Sequence, residues 1–143
     1  MKIAIIEDEV ILAMALTLML EDWGHQVVGT ADTEIGAMVL VKDERPDLVV
    51  MDIRLGRRDN GLHAARLIRA SNDVPIVFCT AYADSTPIKA QVAAIGNTYL
   101  IGKPVDEDQF EWLLRSIDDR RQKVGGGPVF ASRGVLQPAS NDL

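Results

Sequence analysis

The chain has 143 residues, of which 48% are hydrophobic, and its 15 basic and 21 acidic residues give a formal net charge of −6 at pH 7. This length suits one compact domain with its own core, and the acidic balance disfavours direct nucleic-acid binding, which selects a basic surface. Cys79 is the single cysteine, which excludes an intramolecular disulfide and a thiolate metal cage.

The first apolar run, Ile3 to Ile6, is short and is followed at once by three acidic residues. No small-residue cleavage site of a secretion signal comes after it. The longest apolar stretch, from Val10 to Leu20, is far too short to span a bilayer. We therefore expect a cytoplasmic protein without membrane insertion.

Short apolar segments alternate along the chain with longer segments of helical periodicity. The first, third and fourth apolar segments are continuous Ile/Val-rich runs, as expected of parallel strands buried on both faces. In chain order, the predicted elements are strand Lys2–Ile6, helix Glu9–Trp23, strand Gln26–Ala31, helix Thr33–Glu44, strand Asp47–Met51, helix Gly61–Ser71, strand Pro75–Cys79, helix Pro87–Ile95, strand Tyr99–Ile101 and helix Glu107–Gln122.

Five strand–helix units in succession predict an α/β fold, a doubly wound five-stranded parallel sheet with five helices on its two faces. The helical pattern stops after Gln122, and a run of three glycines and a proline follows. We therefore expect one domain over residues 1–123 and a flexible C-terminal tail over residues 124–143. Four apolar residues of that tail could fold back on the body: Val129, Phe130, Val135 and Leu136.

Polar residues stand where the predicted strands end. Glu7 and Asp8 follow the first strand, Asp52 the third, Thr80 the fourth and Lys103 the fifth. Because such sheets bind ligands beyond the carboxyl ends of their strands, we expect these side chains to meet at one edge. Three carboxylates in one cleft repel each other unless they are neutralised, and Mg²⁺ suits a site with few protein oxygens.

A carboxylate beside a bound metal is a competent nucleophile towards a phosphoryl group. The lysine would balance charge on the incoming oxygens, and the threonine hydroxyl could hydrogen-bond one of them. The pattern therefore predicts aspartyl-phosphate chemistry at the end of the third strand.

The segments IIEDE, VVMDIRLG, IVFCTAYAD and YLIGKPVDED, in this order and spacing, resemble the receiver domain of two-component response regulators. The resemblance covers residues 1–123 and implies a CheY-like, flavodoxin-like fold with strand order 2-1-3-4-5. It implies a phosphoacceptor at Asp52, with a sensor histidine kinase or a histidine phosphotransfer protein as donor. A downstream protein target is expected as a partner, and a homodimer is a further candidate.

The same resemblance assigns the other site residues. It implies magnesium ligation by Asp8, Asp52 and the backbone carbonyl of Arg54, with a supporting role for Glu7. Thr80 becomes the switch hydroxyl and Lys103 the phosphate-contacting cation. The peptide bond between Lys103 and the following proline is expected to be cis, an isomer that proline alone makes accessible.

Two regions of the site depart from the family pattern. After the first strand, Glu7 stands where aspartate is more common, and the loop after the third strand differs as well. Gly56 occupies the usual place of a proline, and Gly61 comes one residue late, so we expect a reshaped loop.

The switch region departs as well. Leu100 occupies the usual aromatic position, with Tyr99 one place earlier, so a threonine–tyrosine coupling is not expected here. Tyr82 places an aromatic ring near the site mouth instead. These features resemble a stand-alone receiver subgroup of alphaproteobacteria, which often partners kinases of the HWE or a related class.

Other interpretations stay open. Taken singly, the acids after the first strand could cap a helix, and the other site residues could be turn, strand or loop choices. A pseudo-receiver that binds partners without phosphorylation is the main alternative. A haloacid-dehalogenase-like phosphatase would carry its nucleophile on the first strand in a D-x-D pattern, and a flavodoxin-like cofactor carrier would need a phosphate loop there. We expect no enzyme activity beyond slow hydrolysis of the protein's own acyl phosphate.

The first helix has an apolar residue pattern on two sides. Leu12, Leu16, Met19 and Leu20 form the expected core stripe, and Ile11, Met14 and Leu18 lie about half a turn away. An outer helix face should be polar, so these three residues indicate a docking surface for a kinase helix, a dimer mate or the tail, unless neighbouring structure covers them. Trp112 of the fifth helix is a weaker candidate for a partner contact.

Overall fold

A computed structural model describes residues 1–124 of the protein. The predicted tail therefore lies outside the described residues, except for residue 124, which ends the last helix. In chain order the elements are β1 Lys2–Ile6, α1 Val10–Asp22, β2 Gln26–Ala31, α2 Glu34–Glu44, β3 Leu48–Asp52, β4 Arg54–Leu55, β5 Asp59–Asn60, α3 Gly61–Arg69, β6 Ile76–Thr80, α4 Thr86–Ile95, β7 Thr98–Gly102 and α5 Glu107–Val124.

Five of the strands form one parallel sheet in the order β2-β1-β3-β6-β7. This is the predicted order 2-1-3-4-5, because β4 and β5 belong to a separate two-stranded unit. Every residue of β3 and β6 is buried, as their continuous apolar sequences predict. The predicted fold class is confirmed.

Each face of the sheet has its own apolar core. On one face, the buried residues of α2, α3 and α4 pack against alternate strand residues such as Met51 and Phe78. On the other face, α1 and α5 pack against Ile5, Val50 and Val77. Cys79 is buried in this second core, where it is an apolar packing residue.

The predicted element boundaries hold to within two residues. The third and fourth long strands each begin and end one residue later than predicted, which places Asp52 and Thr80 inside strand ends rather than after them. Asp47 directly precedes β3, and its carboxylate accepts the Lys2 amide (2.8 Å). Thr33 is the N-cap of α2, not its first residue, and its hydroxyl accepts the Gly36 amide.

A short antiparallel hairpin of β4 and β5, which the sequence did not predict, directly follows β3. In it Arg54 pairs with Asn60 and Leu55 with Asp59. The turn contains Gly56 at φ +68°, in the left-handed region that favours glycine. This hairpin is the reshaped loop that the unusual glycine positions predicted.

The first helix presents the two apolar sides that its sequence predicts. Leu16 and Leu20 are buried against the sheet, whereas Ile11, Met14 and Leu18 are 83%, 60% and 68% exposed. Within residues 1–124, therefore, neighbouring structure does not cover the outer side. Trp112 on α5 is also half-exposed. In the part of the chain that the structure describes, no helix is long and apolar enough to cross a membrane.

Candidate functional site

The carboxyl edge of the sheet brings together a lysine and two buried carboxylates. The Lys103 ammonium donates to Oδ2 of Asp52 at 2.9 Å and to Oε1 of Glu7 at 3.3 Å. Asp52 and Glu7 are 8% and 4% exposed. Asp52 also accepts the Arg54 amide on Oδ1 (3.2 Å), so both of its oxygens are oriented by the protein.

The pKa values of Glu7 and Lys103 are both raised, for different reasons. The pKa of Glu7 is raised from 4.5 to about 7, because desolvation and the neighbouring Asp52 charge outweigh the hydrogen bond from the Glu9 amide and the charge of Lys103. The pKa of Lys103 is raised as well, because its hydrogen bond and its charge interaction with Asp52 exceed the cost of its burial. The cluster therefore holds a firm ammonium–carboxylate pair next to a carboxyl group that titrates near neutrality.

Asp8 completes a group of three acids. Within the described residues, carboxylate oxygens of Glu7, Asp8 and Asp52 all lie within 4.8 Å of one another. Asp8 Oδ2 accepts the Gly56 amide at 2.9 Å, a bond that proline in this position could not make. Oxygen donors at this spacing fit a hard divalent cation such as Mg²⁺, which takes few protein carboxylates and keeps several waters.

A shallow cavity of about 370 Å³ opens above these acids, with Asp8, Asp52, Thr80 and Lys103 among its lining residues. Thr80 is 1% exposed, and its Oγ1 accepts the Tyr82 amide at 3.1 Å. No acceptor within residues 1–124 takes the Thr80 hydroxyl proton. That proton is therefore available to an acceptor that enters the cavity.

Two long side chains of the cavity lining are joined by a hydrogen bond. Arg54 Nη1 donates to the Tyr82 hydroxyl at 3.2 Å, and both residues line the cavity. The Tyr82 ring is 49% exposed. The aromatic ring that the sequence places near the site is thus part of the cavity lining.

Gly61 packs directly against the backbone of Asp52. Its amide donates to the Ile53 carbonyl at 2.6 Å, and a Cβ at this position would collide with the Asp52 carbonyl group. Any larger residue would therefore displace the strand end that carries the carboxylate. This close approach explains why position 61, one residue later than the glycine of the family pattern, is itself a glycine.

The β4–β5 hairpin is linked to α2 by reciprocal hydrogen bonds. The Glu34 amide donates to Asp59 Oδ2 (2.8 Å), and the Asn60 amide donates to Glu34 Oε2 (2.7 Å). His63 Nδ1 lies 2.6 Å from the other Glu34 oxygen. The Asn60 amide bond lowers the pKa of Glu34, which favours the ionised carboxylate that this arrangement requires. Sequence reasoning missed this link; the Asp59-Asn60-Gly61 run, typical of turns and N-caps, is the signal that marks it.

Lys103 is positioned by the end of the neighbouring strand. Its amide donates to the Thr80 carbonyl at 2.9 Å, and its bond to Pro104 is cis, as expected. Leu100, in the usual aromatic position, is 1% exposed in the core. Tyr99 is 3% exposed, and its hydroxyl accepts from Arg120 of α5 at 2.8 Å. Neither residue is among those that line the cavity.

Of the acids that follow β1, Asp8 and Glu9 line the cavity. Glu9 is the N-cap of that helix, but within the described residues its side chain makes no capping bond. Glu7 instead accepts the Glu9 amide on Oε2 at 3.2 Å. The predicted convergence of Glu7, Asp8, Asp52, Thr80 and Lys103 is therefore what the structure shows.

Residues 3–115 match the family model described as the response regulator receiver domain. The chain belongs to this family. Among curated relatives, it is 39% identical over 82 residues to the phyllosphere-induced regulator PhyR of Methylorubrum extorquens, covering 57% of this chain and 31% of PhyR. It is 35% identical over 100 residues to the transcriptional regulatory protein PdtaR of Mycobacterium tuberculosis, covering 70% of this chain and 48% of PdtaR. The receiver chain thus spans half the length of these relatives or less.

Solved structures give the same family. The receiver domain of PhyR from Erythrobacter litoralis superposes with a TM-score of 0.73 at 32% identity, covering 82% of this chain and 89% of that one. The anti-anti-sigma factor PhyR from Bartonella quintana superposes with a TM-score of 0.72 at 27% identity, covering 90% of this chain and 51% of that one. The expected receiver resemblance is therefore confirmed.

Proposed function

We propose that this receiver accepts a phosphoryl group on Asp52 from a phosphohistidine, carried by a sensor histidine kinase or a histidine phosphotransfer protein. The observation that carries the proposal is the position of the Asp52 carboxylate, which is held by Lys103 and lies beside Glu7 and Asp8 at the base of an open cavity. In the transfer, an Asp52 oxygen forms the new bond to phosphorus. The bond from phosphorus to the donor imidazole nitrogen breaks, and that nitrogen keeps the electron pair.

Each site residue contributes a separate interaction. Lys103 holds Asp52 in place and offers positive charge to the phosphoryl oxygens, and Thr80 donates its free hydroxyl proton to one of them. Asp8, Asp52 and the Arg54 carbonyl would hold Mg²⁺, with Glu7 in a supporting position. When bound, the ion neutralises the negative charge that three carboxylates and a phosphoryl group bring together.

We infer that the protein acts as a phosphoacceptor and not as a turnover enzyme. Phosphorylation would shift a two-state equilibrium of the loops around Thr80 and Lys103, and the signal would leave through protein contacts or by draining phosphoryl groups from the donor. The exposed α1 side formed by Ile11, Met14 and Leu18 is the surface we propose for the phosphohistidine donor. The α4–β7–α5 face is the surface we propose for a downstream target or a dimer mate, and the cytoplasm the proposed location.

Labelling with acetyl phosphate in the presence of Mg²⁺ tests this function. Intact mass should show one phosphoryl adduct on the wild type and none on Asp52→Asn, which keeps the shape of the side chain and loses its nucleophilic carboxylate. Omission of Mg²⁺ should suppress the wild-type adduct. Equal labelling of the wild type and Asp52→Asn would move the acceptor to another residue and overturn the proposal.

A further inference from the structure

Helices α2 and α3 enclose an apolar groove of about 720 Å³ on the side of the molecule away from α1 and α5. Ile35, Val39 and Leu67 line it and are 75%, 51% and 38% exposed. Ile35 and Val39 stand four residues apart and therefore lie on the same side of α2. A contiguous apolar surface on an outer helix face is typical of a binding surface.

One end of this groove leads to a residue that the last turn of α5 contacts. Arg45 and Pro46, which follow α2, line the groove. The next residue, Asp47, pairs with Arg121 of α5, whose Nη1 lies 3.4 Å from Asp47 Oδ1. The Arg121 side chain in the last turn of α5 thus reaches the residue that directly follows the groove lining, at the amino edge of the sheet. The apolar groove next to α1, in contrast, reaches Glu7 and Asp8 at the opposite edge.

The chain that follows α5 has the length and the chemistry to fill this groove. Apolar residues stand five and six residues past the end of α5, and again at eleven and twelve: Val129, Phe130, Val135 and Leu136. Five extended residues reach up to about 17 Å, which is similar to the length of about 16 Å of the eleven-residue helix α2. We propose that residues 129–136 of this chain dock in the α2–α3 groove and cover Ile35, Val39 and Leu67. This proposal does not depend on the phosphorylation of Asp52.

The docking is tested by amide chemical shifts of the full chain. Phe130→Asp places a charge in the docking segment and should shift the amides of Ile35, Val39 and Leu67, while the α1 amides of Ile11 and Leu18 stay unchanged. The matched control Ser132→Asp adds the same charge at a polar position and should leave the groove amides unshifted. Shifts on α1 instead of the groove, or no shifts, would overturn the proposal.

Proteolysis gives a second readout from the other side of the contact. Trypsin cuts after Arg133, which lies between the two apolar pairs of the docking segment. Val39→Asp should speed this cut about tenfold, the loss of protection expected when one apolar side chain loses its burial. Ile11→Asp, an equivalent change on exposed α1, should leave the rate unchanged. Both readouts are repeated at several protein concentrations. If the shift difference between the wild type and Phe130→Asp, and the protection of the Arg133 site from trypsin, appear only at high concentration, a second copy fills the groove and the intramolecular proposal is wrong.

Discussion

The Lys103 ammonium lies 2.9 Å from Asp52 Oδ2, although the two residues are 51 positions apart in the chain. This contact exists because β3 and β7 both end at the carboxyl edge of one parallel sheet. The same lysine reaches Glu7 of a third strand end. One cation therefore links the residues around which the site is built.

Replacement of Lys103 tests the role of this contact. Lys103→Met removes the positive charge and leaves two buried carboxylates adjacent, so phosphorylation by acetyl phosphate should fall by about 10²-fold or more, the usual loss when a charge-stabilising group is removed. Lys103→Arg restores charge and should recover part of the rate. Labelling rates followed by intact mass measure both variants, and a wild-type rate in Lys103→Met would contradict the assignment.

Glu7 should make the stability of the metal-free protein depend on pH. The pKa of Glu7 is about 7 in the folded protein and 4.5 in the unfolded chain, where the side chain is not buried. Between these two pH values the folded state therefore binds more protons than the unfolded state. The free energy of unfolding should therefore fall as pH rises from about 4.5 to about 7, by up to about 3 kcal/mol.

Denaturant unfolding of the wild type and Glu7→Gln from pH 4.5 to pH 8 measures this contribution. The neutral glutamine lacks it, so the variant should gain stability relative to the wild type as pH rises. Mg²⁺ should offset the loss in the wild type above pH 7, because it binds the ionised carboxylate. A constant difference between the two proteins across this range would show that Glu7 titrates normally.

The close approach of Gly61 to Asp52 predicts a specific loss of stability. Gly61→Ala would place a Cβ 2.9 Å from the Asp52 carbonyl carbon and 3.0 Å from the Ile53 Cα, which are backbone atoms and not the end of a flexible side chain. We expect a loss of about 3 kcal/mol in the free energy of unfolding. The control Gly102→Ala meets only the Ala83 Cβ at 3.6 Å, an ordinary contact, and should change stability by less than about 0.5 kcal/mol. Equal effects of the two substitutions would contradict this packing argument.

Tyr82 should control the access of water to the phosphorylated site. Tyr82→Ala removes a half-exposed ring from the cavity lining and opens the site to water, so hydrolysis of the acyl phosphate should become several-fold faster. Tyr82→Phe keeps the ring and loses only the bond from Arg54, so its rate should lie between those of the wild type and the alanine variant. The decay of the phosphorylated protein after removal of acetyl phosphate gives the three rates. Identical decay in all three proteins would exclude a shielding role.

The sheet and the convergence of site residues could be predicted because both follow from short-range patterns. Continuous Ile/Val-rich runs mark buried parallel strands, and the polar residues at their ends must share one edge. These inferences need only residue order and the geometry of a parallel sheet.

The hairpin of β4 and β5 could not be predicted, because two-residue strands contain no periodicity. Its position depends on contacts between residues far apart in the chain, such as the bonds between Glu34 and the Asp59–Asn60 strand. Arg69 is a second example, since its guanidinium donates to backbone carbonyls of two loop segments, to Asn72 and Val74 in one and to Gly96 and Asn97 in the other. A solvated arginine and a loop-binding arginine have the same sequence signature.

The most direct test is to locate the phosphoryl group. Borohydride reduces an aspartyl phosphate to homoserine, so peptide mass spectrometry after labelling with acetyl phosphate and Mg²⁺ identifies the modified residue. The account predicts homoserine at position 52 alone. Conversion of Asp8, or of any aspartate outside the cavity, with Asp52 unchanged would contradict it.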